Sequence, residues 1–207
     1  MNPQTEAHPL PTKETLAPRA TPVHFIPGIV TDLDELRKPC RTVRNMRDGL
    51  RIASELRSVL ERNNKRFDNA VKKFMRKEAG RPTVAPGVGL AAPQIGIQER
   101  VAYVMADNIS LALVNPRILR WSEAKFEYQE GCLSMPGVEA FTYRHSWIEV
   151  TCDNWKGSRF FGGEAQFEQL LNVVVQHEIA HLSGMLPTDF ENIDRFPTPD
   201  QWNGWVP

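Results

Sequence analysis

The stretch that decides the reading is LLNVVVQHEIAHLSG, residues 170–184, which carries His177-Glu178-Ile179-Ala180-His181. Residues four apart on an α-helix stack on one face, so His177 and His181 can share a metal. Glu178, about 100° round the axis, can handle a proton of a water bound there. Leu170, Val173, Val174 and Val175 lead into the first histidine, and Ile179 and Leu182 follow it, so the helix is expected to be buried. Two imidazoles and a carboxylate on such a helix need partners to be tolerated, and a metal satisfies them. The spacing predicts a helix from about Ala165 to Ser183, with Gly184 as its left-handed terminating residue.

A catalytic centre of this kind takes three protein ligands and leaves one position open. The HExxHxxGxxH spacing would put the third at Pro187, which excludes that class of protease. Asp189, Glu191 and Asp194 would each have to double straight back after Gly184 and Pro187, so the third ligand is expected upstream. Three cysteines, Cys40, Cys132 and Cys152, are odd in number and lack a CxxC pair. That fits a reducing compartment better than a disulfide framework, and leaves a cysteine open as a ligand.

Composition narrows the partners. The chain of 207 residues is 41% hydrophobic and has no apolar run near 18 residues, so nothing in it is expected to span a membrane. Its 25 basic residues are balanced by 25 acidic ones, which gives no bulk-charge reason to expect sequence-specific nucleic-acid binding. The first residues carry Glu6 and Glu14 and lack a basic stretch followed by an apolar one, so a cytoplasmic location is expected.

Outward from the helix, the chain divides into a proline-rich tail (1–22), a catalytic domain (23–192) and an irregular C-terminal segment (193–207), with the core finished by about Phe190. The tail cannot bury enough apolar surface to offset the entropy of ordering it. Met46, Leu50, Ala53, Leu56, Leu60, Phe67, Val71 and Phe74 recur at helical spacing, with Asn63-Asn64 as a candidate break. The basic segment 62–81 reads first as a solvated helix face and secondarily as a weak ribosomal contact. In PGVGLAAPQIG (86–96) small residues surround Gln94; without GKS, GKT or GxGxxG this is no phosphate loop, but it lets a backbone approach a substrate. Gln94 there offers an N–H₂ donor to a polarised carbonyl oxygen. Period-two strands are expected at 100–105, 111–115, 117–121, 125–129, 146–152 and 158–161. Between the strands at 125–129 and 146–152, EGCLSMPG (130–137) sets Cys132 on an irregular stretch where a ligand and a backbone N–H could face a site, while Cys40 and Cys152 read as small buried hydrophobes.

GVGLAAPQIG, EGCLSMPG and QHEIAHLSG, in that order, resemble the three signature motifs of the peptide deformylase family, and the likeness extends from about Leu36 to Phe190. The resemblance implies an α+β fold, with mixed, largely antiparallel sheets packed around a central helix carrying HExxH. It also implies hydrolysis of the N-formyl group of nascent polypeptides beginning with formylmethionine, by one divalent metal, usually Fe2+, with Zn2+ or Ni2+ equally suited on ligand type. Matched residue by residue, Cys132, His177 and His181 are the ligands and Glu178 the general acid/base. Gln94 and the Leu133 N–H match the donors that hold the charged oxygen, and Gly89 the backbone that binds the peptide. Leu170, Val173 and Val174 share the His177 face as a pocket for the first side chain, closed through the same likeness by Val88 and Tyr128.

Two departures stand out. The family most often writes HExDH, and this chain has Ala180 there. Arg144 is the candidate partner left without its carboxylate, with an effect bounded near 1 kcal/mol if both positions are partly exposed. Glu139 stands where many relatives have an Arg beside the peptide path, which would disfavour acidic substrates. A non-catalytic binding protein and a metal-dependent peptidase are the rival readings, and Gln94 with Cys132 favours deformylase over both.

Overall fold

The computed structural model describes residues 28–76 and 86–202; the 1–22 tail and the end of the 62–81 segment lie outside them. Helix α1 (Leu33–Leu36) starts at Asp32, whose carboxylate accepts from the amides of Asp34 and Glu35. Helix α2 (Met46–Met75) follows. Eight strands come next: β1 (Gly89–Ala91), β2 (Val101–Ala106), β3 (Ile109–Val114), β4 (Arg117–Trp121), β5 (Lys125–Gly131), β6 (Glu139–His145), β7 (Trp147–Thr151) and β8 (Ser158–Gly162). Helix α3 (Gln166–Leu182) and the short α4 (Pro199–Trp202) complete the order. The strands form three sheets, β1-β2-β3, β4-β7-β8 and the β5-β6 hairpin, and every strand pairing in them is antiparallel. The expected mixed sheet thus narrows to an antiparallel one, with a single parallel bridge between Arg41 and Glu99 among the described residues.

Two apolar clusters explain the stacking. Val175, Ile179 and Leu182 of α3 pack on Val104, Leu113, Ile148, Val150 and Phe161, so the helix is sandwiched between two sheets. Leu56 and Leu60 of α2 pack on Leu90, Val101 and Val114, on the other side of β1-β2-β3. Each fully buried Leu contributes about 2–3 kcal/mol of transfer free energy, which offsets the cost of ordering long helices that would be marginal alone.

Helix α2 runs unbroken through Asn63-Asn64. Asn64 is a clamp: its amide donates to Gly87 O at 3.0 Å and accepts from Gly87 N at 2.8 Å, pinning the lead into β1. The buried stripe also differs from the expected one, since Met46 and Leu50 face solvent while Ile52, Ala53, Leu56 and Leu60 are buried. Gly49 makes the close approach possible, because a Cβ there would stand 2.7 Å from a Val114 methyl.

The end of α3 is clasped by the beginning of the described chain. Cys40 N donates to Leu182 O at 3.0 Å, and Arg37 forms a two-pronged ion pair with Asp189, one prong 2.9 Å long. Gly184 has the expected left-handed backbone, φ 74°, and a Cβ there would meet Arg37 C at 2.8 Å. The core does not stop at Phe190: Trp202 is fully buried in the α3 cluster. A lone aromatic among prolines has no periodicity to announce it. No helix among the described residues is long and apolar enough to cross a membrane.

Candidate metal centre

Helix α3 spans residues 166–182 and buries eleven residues, among them Asn172, Gln176, His177, Glu178 and His181. The amides anchor it. Gln176 accepts from His145 N and donates to His145 O, each at 3.0 Å, and Asn172 donates to the same carbonyl at 2.8 Å. These bonds lock the rotation of the helix against the β6–β7 junction and so fix where its histidines point.

About 100° round the helix from Gln176, His177 and, one turn on, His181 bring their donor atoms and Cys132 Sγ within 4.8 Å of one another. His181 Nε2 lies 3.3 Å from the sulfur and 3.1 Å from His177 Nε2. The third candidate donor, Cys132, thus lies upstream of the helix, and Asp189 is engaged instead with Arg37. Two imidazole lone pairs this close repel unless a positive charge sits between them. Burial works against charge on His177, but Cys132 and Glu130 outweigh it and raise that histidine well above its usual range. Burial and the neighbouring His177 push His181 well below its own. A soft sulfur with two nitrogens at this spacing suits a divalent transition metal.

Support comes from behind. Glu130 Oε2 accepts from His177 Nδ1 at 2.7 Å, which leaves Nε2 free to face the cluster. Arg144 holds both Glu130 oxygens at 2.6 and 3.0 Å, and the Thr142 hydroxyl donates to Glu130 Oε1. Burial alone would raise the Glu130 carboxyl, yet Arg144 and His177 hold it well below the usual carboxylate range. Sequence reading gave Glu130 no role, although it opens the EGCLSMPG stretch. Arg144 is not left without its carboxylate: it and Ala180 are both buried, so the bound for exposed pairs does not apply.

Glu178 lies under β1. A Cβ on Gly89 would stand 2.8 Å from the Glu178 carboxyl carbon, so only glycine lets that strand lie on the carboxylate. Burial pushes the Glu178 carboxyl up to about 7, and its Oε2 has no hydrogen-bond partner among the described residues. Such a group is poised to exchange a proton near neutrality. Gln94, on a tight 3₁₀ turn after β1, accepts from Ala91 N at 2.8 Å through its oxygen. That leaves the amide nitrogen to face Cys132 Sγ at 3.5 Å and Ser134 Oγ at 3.2 Å. Leu133, next to Cys132, packs against the α2 cluster, and a Cβ on Gly87 would reach its methyl at 2.9 Å, so the first two motifs interlock.

The outer positions divide. Val88, Tyr128 and Leu170 are half-buried and Val173 is buried. Val174 instead packs with the core cluster beneath α3, since one step along a helix turns a side chain through about 100°. Glu139 pairs with Gly131 at the end of the hairpin and points to the face opposite Glu130. Its carboxylate accepts from Gln129 at 2.6 Å on the exposed side, so the structure does not bring it to the metal cluster.

Residues 28–195 match the family model described as polypeptide deformylase. The chain is 41% identical over 115 residues to the peptide deformylase of Teredinibacter turnerae, covering 54% of this chain and 67% of that one. It is 33% identical over 144 residues to the peptide deformylase of Dictyoglomus thermophilum, covering 70% and 92%. The crystal structure of peptide deformylase from Thermus thermophilus superposes with a TM-score of 0.56 at 28% identity, covering 84% of this chain and 87% of the other. With its three motifs brought together at one buried cluster and the match running through nearly the whole described chain, this protein belongs to the polypeptide deformylase family.

Proposed function

We propose that this chain removes the N-formyl group from the formylmethionine end of nascent polypeptides, releasing formate, with one divalent metal held by Cys132, His177 and His181. The observation that carries the reading is the convergence of those three donors beside the buried, unpaired Oε2 of Glu178. The donor set suits Fe2+, Zn2+ or Ni2+, and Fe2+ is the family's usual metal. When bound, such an ion supplies Lewis acidity, ionising a water near neutral pH and polarising a carbonyl.

The chain's own groups do the rest. Glu178 takes the proton of the attacking water and delivers it to the leaving amine. Gln94 Nε2 and the Leu133 N–H meet the charge that develops on the formyl oxygen; Gln94 is preorganised because its other end is held by Ala91 N. Along β1, alternation turns the Gly89 N–H and C=O away from β2, since Val88 and Leu90 make the bonds on that side. A peptide can add to this open edge as a further strand. Leu170 and Val173, with Val88 and Tyr128, receive the methionine side chain. The exposed basic residues Arg62, Lys65, Arg66, Lys72 and Lys73 of α2 offer a weak ribosomal contact, consistent with residence in the cytoplasm.

The test is formate release from a formyl-Met peptide by protein purified anaerobically, with metal analysis of the same sample. One metal per chain and formate release proportional to it are expected, with both lost in Cys132→Ala. Full metal content and turnover in that variant would overturn the assignment.

A further inference from the structure

Arg144 is the most deeply buried charge behind the donor cluster, and hydrogen bonds satisfy only part of it. Its Nε and Nη2 donate to Glu130, while Nη1 has no hydrogen-bond partner among the described residues. The remaining face is covered by carbon. The Phe190 ring centre lies 4.1 Å from the guanidinium carbon and that of Trp202 5.8 Å, and the two rings meet edge to face at 4.9 Å. Trp202 lies well beyond α3 in sequence, yet it is fully buried. Its carbonyl accepts from the hydroxyl of Ser183, the residue that ends α3.

A buried guanidinium that lacks a partner for one N–H is costly, and it has an incentive to swing towards water and abandon Glu130. An aromatic face attracts a cation most where water is excluded, and Arg stacks on rings better than Lys does. We propose that Phe190 and Trp202 are positioning residues for the metal centre. The strap from Phe190 to Trp202 holds Arg144 on Glu130, Glu130 holds His177 Nδ1 at 2.7 Å, and the ring therefore presents Nε2 to the metal. This deepens the metal reading of Cys132, His177 and His181 and rests on it. The contacts run in one line from Trp202 to His177, and among the described residues Arg144 Nη1 has no polar partner to take the place of the rings.

The experiment compares Trp202→Phe, Trp202→Leu and Phe190→Leu in the full chain, with Val150→Ala as a control that opens a cavity elsewhere in the same apolar cluster. Two signals are read. One is Co2+ affinity, followed by the thiolate-to-metal absorption that Cys132→Ser removes. The other is the downfield imidazole N–H proton resonance of His177, identified by its loss in His177→Gln and recorded without metal. Trp202→Leu and Phe190→Leu should weaken Co2+ binding about tenfold and broaden the resonance through faster exchange with water. Trp202→Phe, which keeps a ring, should stay close to wild type in both, and so should Val150→Ala. Equal losses in Trp202→Phe and Trp202→Leu, or losses matched by Val150→Ala, would overturn the proposal, as would unchanged signals in both leucine variants. A wild type that shows the resonance but no thiolate absorption would bring down the metal reading, while the resonance in the variants would still decide the strap.

Discussion

Helices α2 and α3 both pack on the β1-β2-β3 sheet, but they place their polar residues on opposite plans. In α2 the apolar residues Ile52, Ala53, Leu56 and Leu60 make one buried stripe. Its charges face water in pairs such as Arg51 with Glu55 at 3.8 Å and Arg57 with Glu61 at 2.8 Å. In α3 the polar groups lie inside: Asn172 and Gln176 tie the helix to β6 and β7, and His177, Glu178 and His181 are buried beside Cys132 and β1. What marks function is where polarity sits. A charge in water needs no explanation, whereas a buried one persists only with partners or a task.

The sharpest break in that comparison is Glu178→Gln. The amide keeps shape and hydrogen bonding but cannot transfer the proton, so turnover should fall by about 10² to 10⁴ with metal retained; near-normal kcat at neutral pH would show another base at work. On α2 the large effects belong to apolar residues instead. Leu56→Ala, at a fully buried position, should cost about 2–5 kcal/mol in urea unfolding, whereas Leu50→Ala, at a position 47% exposed, should stay within about 0.5 kcal/mol. Similar losses at the two sites would mean the stripe is misplaced.

His145 sharpens the comparison through pH. It packs beside Trp202 and Phe196, donates from Nδ1 to Ser122 O at 2.6 Å, and is pushed down to about 4 by burial, with Lys125 and Arg144 adding to the shift. In the unfolded chain it titrates near 6.5. Between those values the unfolded state binds the extra proton. Its contribution is therefore fully present above about pH 6.5 and is lost as pH falls towards 4. The urea midpoint of wild type should decline through that window more steeply than that of His145→Gln, and parallel profiles would refute the assignment. The smallest effect is expected at Arg51→Ala, about 0.5 kcal/mol or less by thermal unfolding, because an exposed i,i+4 pair is screened by water.

The motif helix, its boundaries and six strands were legible because each carries its own local pattern. β1 escaped because Gly89, Leu90 and Ala91 are only three residues, two of them small, and make no alternation. β6 escaped because its inward positions are Ala140, Thr142 and Arg144, and a buried arginine reads as solvent-facing until Glu130 is seen opposite it. Asn63-Asn64 looked like a break because asparagine favours turns; here Asn63 is buried and Asn64 commits its amide to Gly87, a contact 23 residues away. Cys132 reached the site by resemblance, since no spacing rule links a hairpin loop to a helix. Tertiary pairing of distant residues decided all four.

The clasp between residues 37–40 and the end of α3 sets an order of events in time. Arg37 and Asp189 are 152 positions apart, so their meeting closes nearly the whole described chain, and such closures form late because their entropy must be met before contacts offset it. During synthesis α2 and the β2–β3 hairpin can form on the ribosome from residues already made, while the ligand helix has neither its clasp nor its strap. The donor cluster is therefore expected to assemble only after residues 166–202 have joined the fold. In refolding kinetics, Leu186→Ala, at a buried residue whose N–H donates to Asp189 of the clasp, should speed unfolding and leave the folding rate nearly unchanged, and a folding rate slowed in proportion to the lost stability would place the clasp in the nucleus instead.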